Sequence, residues 1–232
     1  MFRGTLPGME LVFHTDPPAG SIITLVGGAG TLKSALAYAI LSARLNSHPD
    51  ERAIYVTLEE TKEGHLANLS SLGLKVHPRI AISDIASFRA ELQAMGPGMM
   101  REEDYLALML KRTKGDEDGG RPHDFLVLDS LNALEASLPI EGRLIRRTLQ
   151  DFFFQLRSHK VTTLALIETT QVDDRPEYFL VDGIIELGVM RRENDFKRFL
   201  TVRKMRACRH EMRPFILDVT PAGIRIMGEV ID

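Results

Sequence analysis

Lys33 and Ser34 close a glycine-rich stretch, Ser21 to Ser34, that reads SIITLVGGAGTLKS. A β-branched apolar run feeds the glycines, and a helix-forming run, ALAYAILSARL, follows at once. Strand, loop and helix in that order can cradle a nucleotide triphosphate. Gly27, Gly28 and Gly30 let backbone N–H groups come close to an anion where a side chain would fill the space. The next helix points its free N-terminal amides at the same place. Lys33 then reaches the outer phosphates as a point charge, and the Ser34 hydroxyl can meet Mg²⁺. The candidate nucleotide-binding loop is therefore Gly27, Gly28, Ala29, Gly30, Thr31, Leu32, Lys33 and Ser34. Leu32 breaks the pattern, which puts glycine before the lysine. It either packs beneath the loop or obstructs it. The plainer alternative is an ordinary strand–helix turn with a solvated lysine.

Three carboxylates stand at predicted strand ends. In DFLVLDSLNAL, four apolar residues lead into Asp129 at the C-terminal end of a buried strand. Ligands of doubly wound sheets sit at that edge, where a carboxylate can support a metal or order water. The alternative for Asp129 is a cap on the following helix. Glu59 and Glu60 follow the run AIYVTL. A carboxylate there can polarise water for attack on a γ-phosphate. The alternative is the acidic first turn of a helix starting near Thr61, where negative charge is favourable anyway.

Positioning these groups requires a sheet. Bare apolar runs at 22–26, 53–58, 125–128, 163–167 and 183–187 alternate with helical periodicity at 34–45, 62–72, 102–114 and 142–158. Runs without polar alternation suit strands covered on both faces, and the alternation implies crossovers and a mostly parallel sheet. Segments 199–205, 215–219 and 223–227 read as a C-terminal antiparallel β extension. The expected fold is a three-layer α/β domain spanning 1–232, with irregular, mobile loops at 114–122 and 172–180. The 232 residues, 44% hydrophobic and 26% charged, have the ordinary composition of a soluble globular protein. A net charge of −3 gives no general pull toward nucleic acid or an anionic membrane. Cys208 is the sole cysteine, which excludes an internal disulfide and fits a cytoplasmic protein. No apolar run reaches membrane-spanning length.

Taken together, the motifs resemble the RecA-fold P-loop ATPases, and most closely their KaiC-like branch. GGAGTLKS is similar to that branch's phosphate loop, and IYVTLEETKEGHLANLSSLGL to its strand, double glutamate and helix. FLVLDSLNAL resembles its second nucleotide motif, and VRKMRACRHEMRPFIL its Lys-x-Arg strand. The match runs from about Gly20 to Ile226. The resemblance implies ATP and Mg²⁺ as ligands, Lys33 and Ser34 on phosphate and metal, and Asp129 behind the metal. It implies Glu59 as catalytic base with Glu60 beside it, and Gln171, in ALIETTQV, as a γ-phosphate sensor. It further implies Lys204 and Arg206 acting in trans on a neighbouring subunit's nucleotide, within a homo-oligomer, expected to be a hexameric ring. KaiC itself carries two copies of the domain where this chain has one.

A basic strip runs from Arg191 to Arg213. It can serve a subunit interface through Lys204 and Arg206, a single-stranded nucleic-acid groove, or simply a solvated hairpin. The loop near Val172–Tyr178 is acidic, with Asp173, Asp174 and Glu177 against Arg175, and that balance is unsuited to gripping nucleic-acid phosphates. Three function classes follow: an ATPase switch that assembles or binds a protein partner according to nucleotide, a DNA-dependent recombination or repair ATPase, and a nucleotide-binding scaffold without turnover.

Overall fold

The computed structural model describes residues 1–94, 102–115, 121–137, 143–169, 175–192 and 195–230. The chain order is α1 (Met9–Val12), β1 (Ile22–Gly27), α2 (Lys33–Ser47), β2 (Ala53–Thr57), α3 (Lys62–Ser71), β3 (Ile80–Asp84) and α4 (Ile85–Ala94). Then come α5 (Glu102–Lys114), β4 (Phe125–Asp129), α6 (Leu131–Ser137), α7 (Arg143–Ser158) and β5 (Thr162–Glu168). A 3-10 turn at Pro176–Phe179 leads to β6 (Gly183–Arg192), β7 (Asp195–Met205), β8 (Phe215–Thr220) and β9 (Gly223–Glu229).

Among the described residues these strands form one nine-stranded sheet in the order β3-β2-β4-β5-β1-β6-β7-β8-β9. The pairings from β3 to β6 are parallel, and β6 to β9 form an antiparallel meander. The two-residue period of a strand divides the apolar runs between two cores. Ile23 and Leu25 join a core with Tyr38, Tyr55 and the N-terminal Phe2 and Phe13. Ile22 and Val26 face the opposite way, toward Phe88 and the Phe152–Phe153 pair. Helices therefore cover both faces of a central sheet, the three-layer arrangement expected.

The segment before β1 reaches the far end of the chain. Phe2 and Phe13 stack with ring centroids 4.4 Å apart. The Ile226 N–H donates to Pro7 O at 2.8 Å, and the His14 N–H to Arg209 O at 2.8 Å.

Parallel pairing gathers the C-terminal strand ends on one edge. Gly27 lies opposite Glu168, and Thr57 lies opposite both Asp129 and Asp84. Residues 116–120 and 170–174, where the two irregular loops were expected, lie outside the described residues. The last part of the second loop departs from expectation, because Pro176–Phe179 is a 3-10 turn. Proline sits at its first position, where a missing N–H costs nothing.

Candidate functional site

The loop after β1 owes its path to three residues. Gly27 admits no side chain, since a Cβ there would lie 2.2 Å from Leu187 O on the neighbouring strand. Gly30 has φ +75°, open to glycine at no cost. Leu32 is the N-cap of α2 and takes φ 72°, ψ 25°, the left-handed region. That conformation costs a branched L-residue about 1–2 kcal/mol, and it is the conformation a glycine would supply freely. The Leu32 side chain is half-buried and packs against the core. Leu32 therefore packs on the core and also borders the cavity described below. The Thr31 hydroxyl braces the turn from within, donating to Gly28 O at 2.8 Å.

Lys33 is only 8% exposed. Its ammonium folds back to donate to Gly27 O and Gly28 O, both at 2.9 Å, and lies 3.8 Å from a Glu168 carboxylate oxygen. Burial pulls its pKa below the ordinary lysine value, while Glu168, Asp129 and Glu59 act in the opposite sense. Ser34, one residue on, lines the same cavity as Asp129.

Asp129 ends β4 next to this loop. Tyr55 OH donates to its Oδ2 at 2.6 Å. Burial pushes the Asp129 pKa up, partly offset by the Tyr55 hydrogen bond. Burial also lifts Tyr55 well above the usual phenol value, so the phenol is a donor throughout the neutral range. Asp129 does not cap the next helix. Ser130 takes that role, accepting from Ala133 N at 3.2 Å. The Ser130 hydroxyl also donates to Glu59 Oε1.

Glu59 and Glu60 precede the helix instead of forming its first turn. The N-cap of α3 is Thr61, whose hydroxyl accepts from Gly64 N at 3.1 Å. Glu59 turns toward Ser130 and the loop, whereas Glu60 is held on the outer side by Asn68, whose amide reaches both its oxygens at 3.1 and 3.0 Å. The double glutamate thus splits into an inner and an outer carboxylate. Lys33, Ser34, Glu59, Glu60, Asp129 and Ser130 line one cavity of about 400 Å³.

Several groups in or around this cavity carried no signal in the sequence. Glu168 ends β5, and Asn132 clamps its backbone by accepting from Glu168 N at 2.8 Å and donating to Glu168 O at 3.2 Å. Arg198, one cation of the basic strip, donates from Nε to Gly30 O at 2.9 Å. His65 is 2% exposed, lies against Tyr55 with ring centroids 4.3 Å apart, and has no hydrogen-bond partner at Nε2 among the described residues. A register between strands brings Glu168 to the loop, and register is not written in either strand alone.

Lys204 and Arg206 are elsewhere. Lys204 pairs with Ile184 near the start of β6, at the edge of the sheet opposite the loop. Its ammonium donates to Tyr178 O at 2.8 Å and Val181 O at 2.7 Å. Arg206 is 59% exposed and sits 3.6 Å from Asp182. Gln171 lies outside the described residues. Elsewhere the basic strip is largely matched by carboxylates, as in Arg203 with Glu186 at 2.5 Å and Arg213 with Glu229 at 2.5 Å. No helix among the described residues is long and apolar enough to cross a membrane.

Known proteins resemble the chain. Residues 3–230 match the family described as ATPase: KaiC. A UPF0273 protein of Thermotoga maritima is 29% identical over 232 residues, covering 95% of this chain and 93% of that protein. One from Methanocaldococcus jannaschii is 27% identical, covering 97% and 96%. The crystal structure of a KaiC-like protein from the hyperthermophilic archaeon Pyrococcus horikoshii superposes with a TM-score of 0.80 at 26% identity, covering 98% of both chains. With a glycine-rich loop after β1, two glutamates after β2 and an aspartate-ended β4 on one sheet edge, and with residues 3–230 matching the family, the chain belongs to the KaiC family of RecA-fold ATPases.

Proposed function

We propose that this protein binds Mg²⁺–ATP at a subunit interface and hydrolyses it slowly, using the nucleotide state to control assembly or the docking of a protein partner. The observation that carries this reading is the convergence of Lys33, Ser34, Asp129 and Glu59 on one cavity at the loop edge. Lys33 unfolds from the loop carbonyls to meet the β- and γ-phosphates, and the loop amides hold the rest of the anion. The Ser34 hydroxyl, with Asp129 behind it, suits an oxygen-loving cation. Magnesium, when bound, supplies charge neutralisation at the phosphates. Glu59, oriented by Ser130, positions the attacking water. Arg206 and Lys204 of a neighbour meet charge developing on the γ-phosphate, and Gln171 reads its presence.

Glu59→Gln is expected to keep ATP affinity and lose turnover by about 100-fold or more, within the range for removing a general base. Wild-type turnover in Glu59→Gln would exclude the base assignment. Size-exclusion chromatography with and without ATP tests assembly: a larger species with ATP is expected, and a monomer under both conditions removes the trans roles. A non-hydrolysing scaffold is the second reading. It is favoured by the Ser130 hydroxyl occupying one oxygen of Glu59, and wild-type turnover no better than Lys33→Ala would establish it.

A further inference from the structure

We infer that Glu168 makes nucleotide binding conditional on a divalent cation, by competing with the nucleotide's phosphate for Lys33. This rests on the reading of the cavity as a nucleotide site. The lining holds one lysine, Lys33, against four carboxylates: Glu59, Glu60, Asp129 and Glu168. Glu168 is the one of these four that comes within ion-pair range of the Lys33 ammonium, at 3.8 Å. It also contributes the strongest of the electrostatic attractions acting on that ammonium, ahead of Asp129 and Glu59.

The other carboxylates have local donors. Tyr55 holds Asp129, Ser130 holds Glu59 and Asn68 holds Glu60. The Glu168 backbone is fixed by Asn132 and by pairing with Gly27. Its carboxylate borders the cavity 3.8 Å from the Lys33 ammonium, where an incoming phosphate oxygen would also seek that lysine.

The electrostatic consequence has a definite sign. A metal-free nucleotide brings three or four negative charges into a site with a carboxylate excess and must displace Glu168 from Lys33. A cation-bound nucleotide brings compensating charge that faces the same carboxylates favourably, so Glu168 opposes the first form and tolerates the second. The pair is partly exposed, with the Glu168 side chain 49% accessible, so salt screens the penalty.

Glu168→Gln removes the charge and preserves the shape and the Asn132 clamp. The test measures binding of the non-hydrolysable analogue AMP-PNP by calorimetry, in EDTA and in Mg²⁺, at low and at high salt. Glu168→Gln should bind metal-free analogue about tenfold more tightly than wild type, about 1.4 kcal/mol. The Mg²⁺ form should change by less than about threefold, and the metal-free gain should shrink at high salt. Glu10→Gln, an exposed charge on α1, is the control for net charge and should leave both affinities unchanged. Equal changes in the two forms, or no change, overturn the role of Glu168 while wild-type binding leaves the nucleotide reading intact. A wild-type protein that binds the analogue in neither condition overturns both.

Discussion

The two edges of the central sheet use similar residues to opposite ends. At the edge opposite the loop, polar groups are mutually satisfied. Asp182 Oδ2 accepts from Ile22 N at 3.0 Å and from two Arg157 nitrogens at 3.2 and 3.1 Å, and Lys204 caps two carbonyls. At the loop edge, carboxylates face one another across an open cavity, the one lysine is folded onto its own loop, and a leucine holds a left-handed conformation. The first edge is largely satisfied within the fold, with Arg206 left exposed beside Asp182. The second has groups whose charges and donors call for a ligand. Strain and like-charge crowding of that kind collect at functional sites.

The sharpest way to break this contrast is to remove a partner from each edge. Asp182→Ala strands a fully buried Ile22 N–H and the Arg157 guanidinium. It should lower stability by about 3 kcal/mol in urea unfolding, with nucleotide affinity per folded molecule unchanged. Lys33→Ala should do the reverse, abolishing measurable binding while shifting stability by less than about 1 kcal/mol, because the lysine is already penalised by burial. If both variants lose mainly stability, the loop edge is structural and the contrast fails.

Asp84 sharpens the contrast from within the loop edge. It accepts from Ser87 Oγ at 2.6 Å, Ser87 N at 2.8 Å and Lys62 N at 3.0 Å. These bonds, the Ser87 hydroxyl first, lower its pKa from 3.8 to about 2. A depressed carboxylate stabilises the fold above its unfolded pKa and loses that contribution as pH falls through the folded value. About 2 kcal/mol should therefore disappear between pH 4 and pH 2. Asp84→Asn should flatten that acid limb in urea midpoints measured from pH 5 to pH 2. An unchanged limb would show that the hydrogen bonds do not persist in solution.

Leu32 gives the smallest expected effect. Leu32→Gly relieves about 1–2 kcal/mol of left-handed strain, but loses apolar contact and pays glycine's entropy of about 0.5–1 kcal/mol. Stability should stay within about 1 kcal/mol, and turnover within about threefold, since the loop already follows the glycine-type path. A tenfold rise in turnover would mean that Leu32 attenuates the site.

The legible parts of the chain were those where local chemistry and tertiary role coincide. The helix at 102–114 was read at its observed limits, and β1, β2, β4 and β5 within a residue or two, because buried parallel strands write themselves as apolar runs. Ile80–Asp84 was missed. It is the outermost strand and is partly exposed, so it lacks that run. β7 begins at Asp195, four residues before its apolar stretch, because the outer hairpin is solvated and charged. Within the site, glycines and strand-end carboxylates announced Lys33, Ser34, Glu59 and Asp129. Glu168 and Arg198 did not, since Glu168 reaches the loop through the pairing of β5 with β1 and Arg198 through a hydrogen bond to Gly30, 168 positions away in sequence. Tyr55 looked like one more apolar strand residue, and its hydroxyl matters only once Asp129 is beside it.

The docking of the first fourteen residues sets an order of events during synthesis. His14 meets Glu211 across 197 positions of sequence, so Phe2 and Phe13 leave the ribosome long before β8 and β9 exist to cover them. At about 5–20 residues per second, that interval lasts on the order of 10–40 s. Until then Phe2 and Phe13 have each other and the earlier β1 and α2 residues to pack on, and their contacts with the C-terminal strands close late.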